Sequence, residues 1–323
     1  MKITAFSSIV FPILVFLGGC CFGPSGSVIK LAYDAGFSPD AVLISQYVFG
    51  ALSMLVISAG FFLITCFWKK RGKRGRYTAK DVIKLIFMGV ALGLSSLTYV
   101  FSLQTIPAHL AVILVFQYTW MGIVAESVIK RKLPTFPIVL SVIILIGATL
   151  LASGVGSISL DEINIIGVIF GLLSAVFYAA YIQLNATLHN GMSPIYRSLA
   201  IVTVALAVFL IVFSPNYFNP QFISEVVIGQ GLWVYGIILG CLVCALPNFL
   251  FAVSVPNTSP GIATLLTASE LPASIICAVF ILSESVTPLQ WTGVALLFFG
   301  IALPYIADLR RRRYRYRHRP SPQ

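Results

Sequence analysis

The chain is a succession of long apolar segments separated by short polar breaks. Each segment has about 20 residues, which is the length that an α-helix needs to cross a hydrocarbon core of roughly 30 Å. The pattern predicts an all-α integral membrane fold with ten transmembrane helices. Their predicted bounds are 6–31, 41–67, 83–103, 108–129, 136–154, 164–188, 195–213, 231–253, 261–282 and 288–307.

Composition supports the membrane interpretation. Hydrophobic residues make up 59% of the 323 residues, charged residues make up 10%, and the mean hydropathy is +0.98. Typical soluble domains carry about 25% charged residues, so a soluble enzyme is excluded. The six cysteines lie within apolar segments, and this placement indicates packing rather than a disulfide framework or a metal site.

The basic residues predict the orientation of the chain. Loops on the cytoplasmic side collect Lys and Arg, and placing the N-terminus inside puts 20 of the 21 basic residues there. We therefore predict a multi-pass plasma-membrane protein with both termini cytoplasmic and only Lys30 outside. The net charge of +11 then reflects a basic tail that anchors the last helix against anionic lipid, not nucleic-acid binding. The basic positions are Lys2, Arg197, and those within 69–84, 130–132 and 310–319.

The two halves of the chain are similar to each other. An offset of 153 residues aligns Pro107 with Pro260 and Gly147 with Gly300, so the match falls at small and helix-breaking residues. Each half has five predicted spans, and an odd number makes the second half enter the membrane from the opposite side. We predict two inverted five-helix repeats (5+5), at 1–154 and 155–309, followed by a basic cytoplasmic tail at 310–323. Such repeats place substrate near the midplane at their interface.

One carboxylate lies in the middle of an apolar segment. Glu270 is near the centre of the ninth span, where a charged side chain costs about 2.5 to 3.5 kcal/mol and normally faces a cavity or a partner. Two residues later, Pro272 removes a backbone donor and interrupts the helix. We predict that both residues line a substrate path. The alternatives are a structural hydrogen bond for Glu270 and a packing role for Pro272.

The 153-residue offset places Gln117 of the fourth span opposite Glu270. Gln117 and Trp120 are three residues apart, so they share one helix face and are candidates for the same cavity. In the sixth span, Tyr178 and Tyr181 also share a face, although tyrosines at this spacing often serve packing only.

Three further candidates lie in interrupted helices. Pro24 and Ser25 follow a glycine in the first span, where the irregular backbone can expose carbonyls to substrate or simply let helices approach closely. Asn248 follows a proline in the eighth span and is a candidate for lining the cavity. Glu126, by contrast, is four residues before Lys130, and this spacing predicts a local ion pair.

These features resemble the EamA branch of the drug/metabolite transporter superfamily. The resemblance rests on the ten spans in two halves, Pro-x-x-Ala-Thr-Leu-Leu at 260–266, Glu-x-Pro at 270–272 and Leu-Ser-Glu-Ser at 282–285. It implies a small-molecule carrier, most often an exporter, with helices 1 to 4 and 6 to 9 around a central cavity. The family's glutamate before the proline of helix 9 corresponds to Glu270. The chain departs from the family at Gln46, where relatives often carry a basic residue.

The sequence thus predicts a secondary transporter that exports small metabolites, such as amino acids or related compounds, by alternating access. Burial favours the neutral form of a carboxyl, so proton coupling through Glu270 is a hypothesis. A membrane-embedded enzyme acting on a lipid-linked substrate and a non-transporting receptor or scaffold remain alternatives. The expected partners are a small-molecule substrate and the lipid bilayer, with protons and a second copy in a homodimer as hypotheses. No catalytic residue, metal ligand or cofactor is predicted, since no phosphate loop, H-E-x-x-H motif or serine elbow is present.

Overall fold

The computed structural model describes residues 2–67, 78–153, 164–187, 192–217 and 222–317, and these residues contain helices and no strand. The remaining positions lie outside the described residues, and they include most of the predicted basic connection 69–84, Asp161, Glu162 and the end of the tail. The helices are α1 (Lys2–Cys20), α2 (Pro24–Asp34), α3 (Pro39–Phe67), α4 (Ala79–Leu103), α5 (Ala108–Phe116), α6 (Tyr118–Lys130), α7 (Phe136–Ala152), α8 (Ile165–Thr187), α9 (Pro194–Tyr217), α10 (Leu232–Ile238), α11 (Leu246–Ser254), α12 (Pro260–Thr267), α13 (Glu270–Leu282) and α14 (Pro288–Arg317).

Nine helical segments within the described residues are long and apolar enough to cross a membrane. They cover nine of the predicted spans. The fifth predicted span corresponds to α7, which is apolar but has only 17 residues. The usual requirement is about 20 residues, so the count of ten spans remains a prediction.

Four of the predicted spans are interrupted helices. α1 and α2 are separated by a turn at 21–23, α5 and α6 meet at Gln117, and α12 and α13 are separated by two residues. Between α10 and α11 the chain forms a π-helical segment, Leu239–Ala245. Prolines explain part of this pattern, because Pro24 and Pro247 occupy the first turns of α2 and α11, where a missing N–H is tolerated.

Close packing between helices depends on small residues. A Cβ on Gly240 would lie 2.6 Å from the backbone nitrogen of Gly50, and one on Gly293 would lie 2.6 Å from that of Ala152. The first contact joins the π-helical segment to α3, and the second joins α14 to α7. Small residues at such crossings let helix backbones approach, as membrane helices require when no hydrophobic effect draws them together.

The outer surface of the bundle is apolar. Phe280 of α13 and Ile211 of α9 are 82% and 81% exposed, and large exposed apolar side chains occur on most helices. The interior, by contrast, contains serines, threonines, amides and a buried arginine, Arg197. An apolar exterior around a partly polar interior is the arrangement expected of a bundle that spans a bilayer.

Candidate functional site

A cavity of about 230 Å³ lies inside the bundle. Its lining extends to Tyr33 and Leu103, the last turns of α2 and α4, at one end of the bundle, and stops near Asn248 toward the other. The cavity therefore extends toward the end of the bundle where α2 and α4 finish. Its polar lining residues other than tyrosine are Ser25, Gln46, Ser95, Ser96, Ser174, Asn248, Glu270 and Ser274. Its aromatic lining residues are Phe22, Tyr33, Tyr47, Tyr99, Phe116 and Tyr178.

Glu270 lines the cavity from the helix interruption. It is the first residue of α13 and is partly buried, and its carboxyl makes no hydrogen bond or ion pair with any residue that the structure describes. Pro272 is buried in the first turn of α13, outside the cavity lining. The first turn of a helix has N–H groups without intrahelical partners, so the proline helps end α12 and begin α13 without losing a bond.

Tyrosines lie near the Glu270 carboxyl. Tyr99 and Tyr178 line the same cavity, and Tyr118 packs against Tyr178. The rings of Tyr118 and Tyr178 meet edge to face, with centroids 4.7 Å apart. Within the described part of the chain, the Tyr178 hydroxyl is buried and has no hydrogen-bond partner. The two rings therefore form a close-packed aromatic wall beside the cavity.

The side chains of Gln117 and Trp120 are hydrogen-bonded to each other. The Trp120 Nε1 group donates to Gln117 Oε1 at 2.8 Å, and Gln117 Nε2 donates to the Ile113 carbonyl at 2.9 Å. Neither residue belongs to the cavity lining, and Trp120 is 36% exposed at the outer surface. Gln117 is the hinge residue between α5 and α6, so its polar group lies at the helix interruption and not in the cavity.

A hydrogen-bonded layer forms the floor of the cavity. The Tyr181 hydroxyl donates to Asn248 Oδ1 at 2.8 Å, and Asn248 Nδ2 donates to the Cys244 carbonyl at 2.8 Å. Asn248 lines the cavity, whereas Tyr181 lies behind it and is buried. The floor thus joins α8 to the α10–α11 span.

The structure brings together Glu270, Tyr178, Asn248 and Ser25 from the predicted site residues. It places Gln117, Trp120, Pro272, Tyr181 and Pro24 outside the lining. Sequence reasoning missed Tyr47 and Tyr99, two aromatic residues of the lining. The Tyr47 hydroxyl is 2.8 Å from Ser96 Oγ. Neighbouring polar residues inside an apolar segment could have indicated that these tyrosines line the cavity. Tyr47 follows Gln46, and Tyr99 follows a Ser-Ser-Leu-Thr run.

The two ends of the α12–α13 span make different contacts. Beside the start of α12, Glu126 accepts a hydrogen bond from the Gly261 backbone N–H and another from Lys130. The local ion pair between Glu126 and Lys130 is confirmed, and the bond to Gly261 adds a link from α6 to α12. Beyond the end of α13, Lys30 of α2 donates to Glu284 at 2.7 Å.

Comparisons with known proteins show what the chain is similar to. Residues 165–306 match the EamA-like transporter family. The match falls within the predicted second repeat, and it confirms the resemblance to EamA-type transporters that the motifs indicated.

Two curated relatives of the EamA-like chain come from Bacillus subtilis (strain 168). It is 28% identical over 177 residues to "Uncharacterized transporter YcbK", an alignment that covers 54% of each chain. It is 23% identical over 197 residues to "Uncharacterized transporter YwfM", covering 61% of this chain and 64% of that relative. The alignments thus span between about half and two thirds of these relatives.

A solved crystal structure has the same fold. It superimposes on the EamA-like chain with a TM-score of 0.68 at 14% sequence identity, and the match covers 91% of this chain and 97% of the other. At this identity the likeness concerns the fold alone. Together with the apolar helices, the domain match makes this chain a multi-pass membrane protein.

Proposed function

We propose that this EamA-like protein is a secondary transporter that exports small metabolites, such as amino acids or related compounds, by alternating access. The observation that carries the proposal is the Glu270 carboxyl, which faces a cavity of about 230 Å³ and has no partner among the described residues. Placing an unpaired carboxyl inside a membrane bundle costs free energy. A ligand or a proton that binds there compensates the cost, whereas a purely structural carboxylate would be bonded to the protein.

Matching helix interruptions support a ten-helix 5+5 arrangement, with repeats at 1–154 and 155–309 and the tail at 310–323. The interruption at Gln117 in the first half and that at 268–269 in the second correspond to within two residues under the offset of 153 residues. α6 and α13 also end alike, at Arg131 (φ 50°) and Ser283 (φ 53°), both in the left-handed region. Unrelated apolar helices would not be expected to share both the interruption and the left-handed end residue. Inverted repeats permit one half to rock against the other around a fixed site.

The closure of one end supports alternating access. On the side of the start of α12, Tyr181 bonds to the lining residue Asn248 and Glu126 accepts a hydrogen bond from the Gly261 N–H, and we propose that these contacts close this end. With both termini cytoplasmic, as the basic residues predict, this closed end is the cytoplasmic one. The structure then corresponds to an outward-facing state, and transport requires these contacts to open while contacts at the other end form.

A metabolite-wide comparison tests the proposal. Cells that overexpress the parent chain, Glu270→Gln or the exposed control Glu225→Gln are compared for metabolites in medium and cytosol. We expect at least one compound class to move outward with the parent and the control but not with Glu270→Gln. The transporter proposal fails, in favour of a receptor or an enzyme, if two results are obtained. Neither the parent nor any variant changes the distribution of metabolites between medium and cytosol, and the purified protein transports none of them in liposomes.

Proton coupling is the finer part of the proposal. A carboxyl that faces a cavity can bind a proton in one state and release it in another, and the amide of Glu270→Gln cannot. We expect Glu270→Gln to abolish transport driven by a pH gradient. Normal transport with an unchanged pH dependence in this variant would rule out coupling through Glu270.

A further inference from the structure

The cavity lining has one acidic side chain and no basic one among the described residues. Glu270 is the one carboxylate in its lining, and the described lining residues include no Lys, Arg or His. A ligand with a carboxylate or a phosphate would therefore lose its hydration on entering the cavity and find no cationic partner there. This loss is costly in a low-dielectric interior. A ligand with a positive charge would stabilise the ionised form of the Glu270 carboxyl, which has no partner among the described residues.

Aromatic rings adjoin the same carboxylate. Tyr99 and Tyr178 line the cavity near Glu270, and Tyr118 packs edge to face on Tyr178 behind it. The faces of aromatic rings attract cations, and the attraction grows when the site excludes water. Six aromatic side chains in the lining thus add a second preference for positive charge to that of the carboxylate.

From this arrangement we propose that the substrate is a small organic cation, an amine or a quaternary ammonium compound, whose charged group binds beside Glu270 and against the ring of Tyr178. This inference rests on the proposed transport function and narrows its substrate class to amines without a carboxylate, which excludes the amino acids given there as examples. The cavity volume of about 230 Å³ lies below the roughly 300 to 1,000 Å³ of pockets for drug-sized ligands, so the cation is small. Ser25, Gln46 and Asn248 lie in the lining to bond a hydroxyl or a carbonyl elsewhere on it.

The first test compares ligands that differ in charge alone. Equilibrium binding to the purified full chain is measured for choline, for tetramethylammonium and for 3,3-dimethylbutan-1-ol, a neutral compound with the shape of choline. We expect choline to bind at least about 30-fold more tightly than the neutral isostere, because the isostere loses both the carboxylate and the ring attraction. Glycine, a zwitterion, is included and should not compete with choline.

The second test uses variants of the two residues. Glu270→Gln should weaken choline binding at least about ten-fold, since the amide keeps the shape and loses the charge. Tyr178→Leu should weaken it about five- to 30-fold, and Tyr178→Phe less than about three-fold, because the ring and not the hydroxyl attracts the cation. The exposed Glu225→Gln makes the same chemical change outside the cavity and should bind as the parent does, and thermal unfolding of each variant checks that it folds.

Transport of the same probes separates this inference from the transport proposal. If choline binds and also crosses the liposome membrane, and both depend on Glu270, the transport proposal and the cation site are both supported. Binding without movement supports the cation site and overturns transport. Movement of a neutral or zwitterionic metabolite in a Glu270-dependent manner, with no binding of either cation, overturns the cation class and leaves transport standing. Equal binding of choline and its isostere, or no binding of any probe by well-folded protein, also overturns the cation class.

Discussion

Replacing Glu126 by alanine should loosen the first turn of α12. Its carboxylate accepts a hydrogen bond from the Gly261 N–H, one of the donors that a helix start leaves without intrahelical partners. The side chain is only 16% exposed, so water compensates the lost bond poorly. A hydrogen bond to a charged group contributes about 1.5 to 3 kcal/mol. Taking about 2 kcal/mol, we expect amide exchange in this turn to accelerate about 30-fold.

Hydrogen exchange measured on a peptide covering 256–267 provides the assay. Pro260 has no N–H, so Gly261 is the first amide of α12 to report. Glu126→Gln keeps an acceptor for Gly261 and loses the charge, so its acceleration should be smaller than that of Glu126→Ala. Peptides from the opposite end of the bundle, near Lys30, should exchange as in the parent chain.

Lys130→Ala is the matched control. Its side chain is 50% exposed, and exposed ion pairs contribute about 0 to 1 kcal/mol. Its loss should therefore accelerate exchange by less than about five-fold. If Lys130→Ala and Glu126→Ala accelerate exchange in α12 equally, the surface ion pair and not the contact with Gly261 stabilises this end, and the argument is wrong.

Three further predictions follow from individual contacts. Gly240→Ala should destabilise the protein by about 1 to 3 kcal/mol in thermal unfolding, since its Cβ meets the Gly50 backbone, whereas Gly60→Ala, with nothing within 4 Å, should be neutral. Tyr181→Phe should cost about 1 to 3 kcal/mol by leaving Asn248 Oδ1 without its donor, and Tyr178→Phe should cost almost nothing, so equal shifts would contradict the hydrogen-bond argument. In a chain without native cysteines, Ala35→Cys should react with an impermeant maleimide on intact cells and Lys132→Cys only after permeabilisation, and the reverse result would invert the predicted orientation.

The helix positions could be predicted because a membrane span requires a long apolar segment. The predicted span 164–188 corresponds to α8 at Ile165–Thr187, and 288–307 corresponds to the membrane part of α14. α4 begins earlier than predicted, at Ala79, because Thr78 and Asp81 form a capping box before the apolar segment starts. The apolar pattern alone does not contain this local hydrogen bonding.

The site was only partly predictable, because nearly every position of a membrane helix is apolar. Glu270 stood out as a carboxylate in such a segment, and it does line the cavity. The shared face of Gln117 and Trp120 was predicted correctly, but the two side chains bond to each other outside the cavity lining. Spacing along one helix shows which residues lie side by side. It does not show whether that face meets lipid, another helix or the cavity.

The unlike contacts at the two ends of the α12–α13 span make the protein respond differently to salt on its two sides. Lys30 and Glu284 are about half exposed, so dissolved ions screen their attraction, with a Debye length of about 8 Å at physiological ionic strength. The bond between Glu126 and Gly261 is sheltered, and salt weakens it far less. Raising the ionic strength on the Lys30 side should therefore weaken the link between α2 and the end of α13, whereas the link between α6 and the start of α12 should persist when the ionic strength rises on the other side.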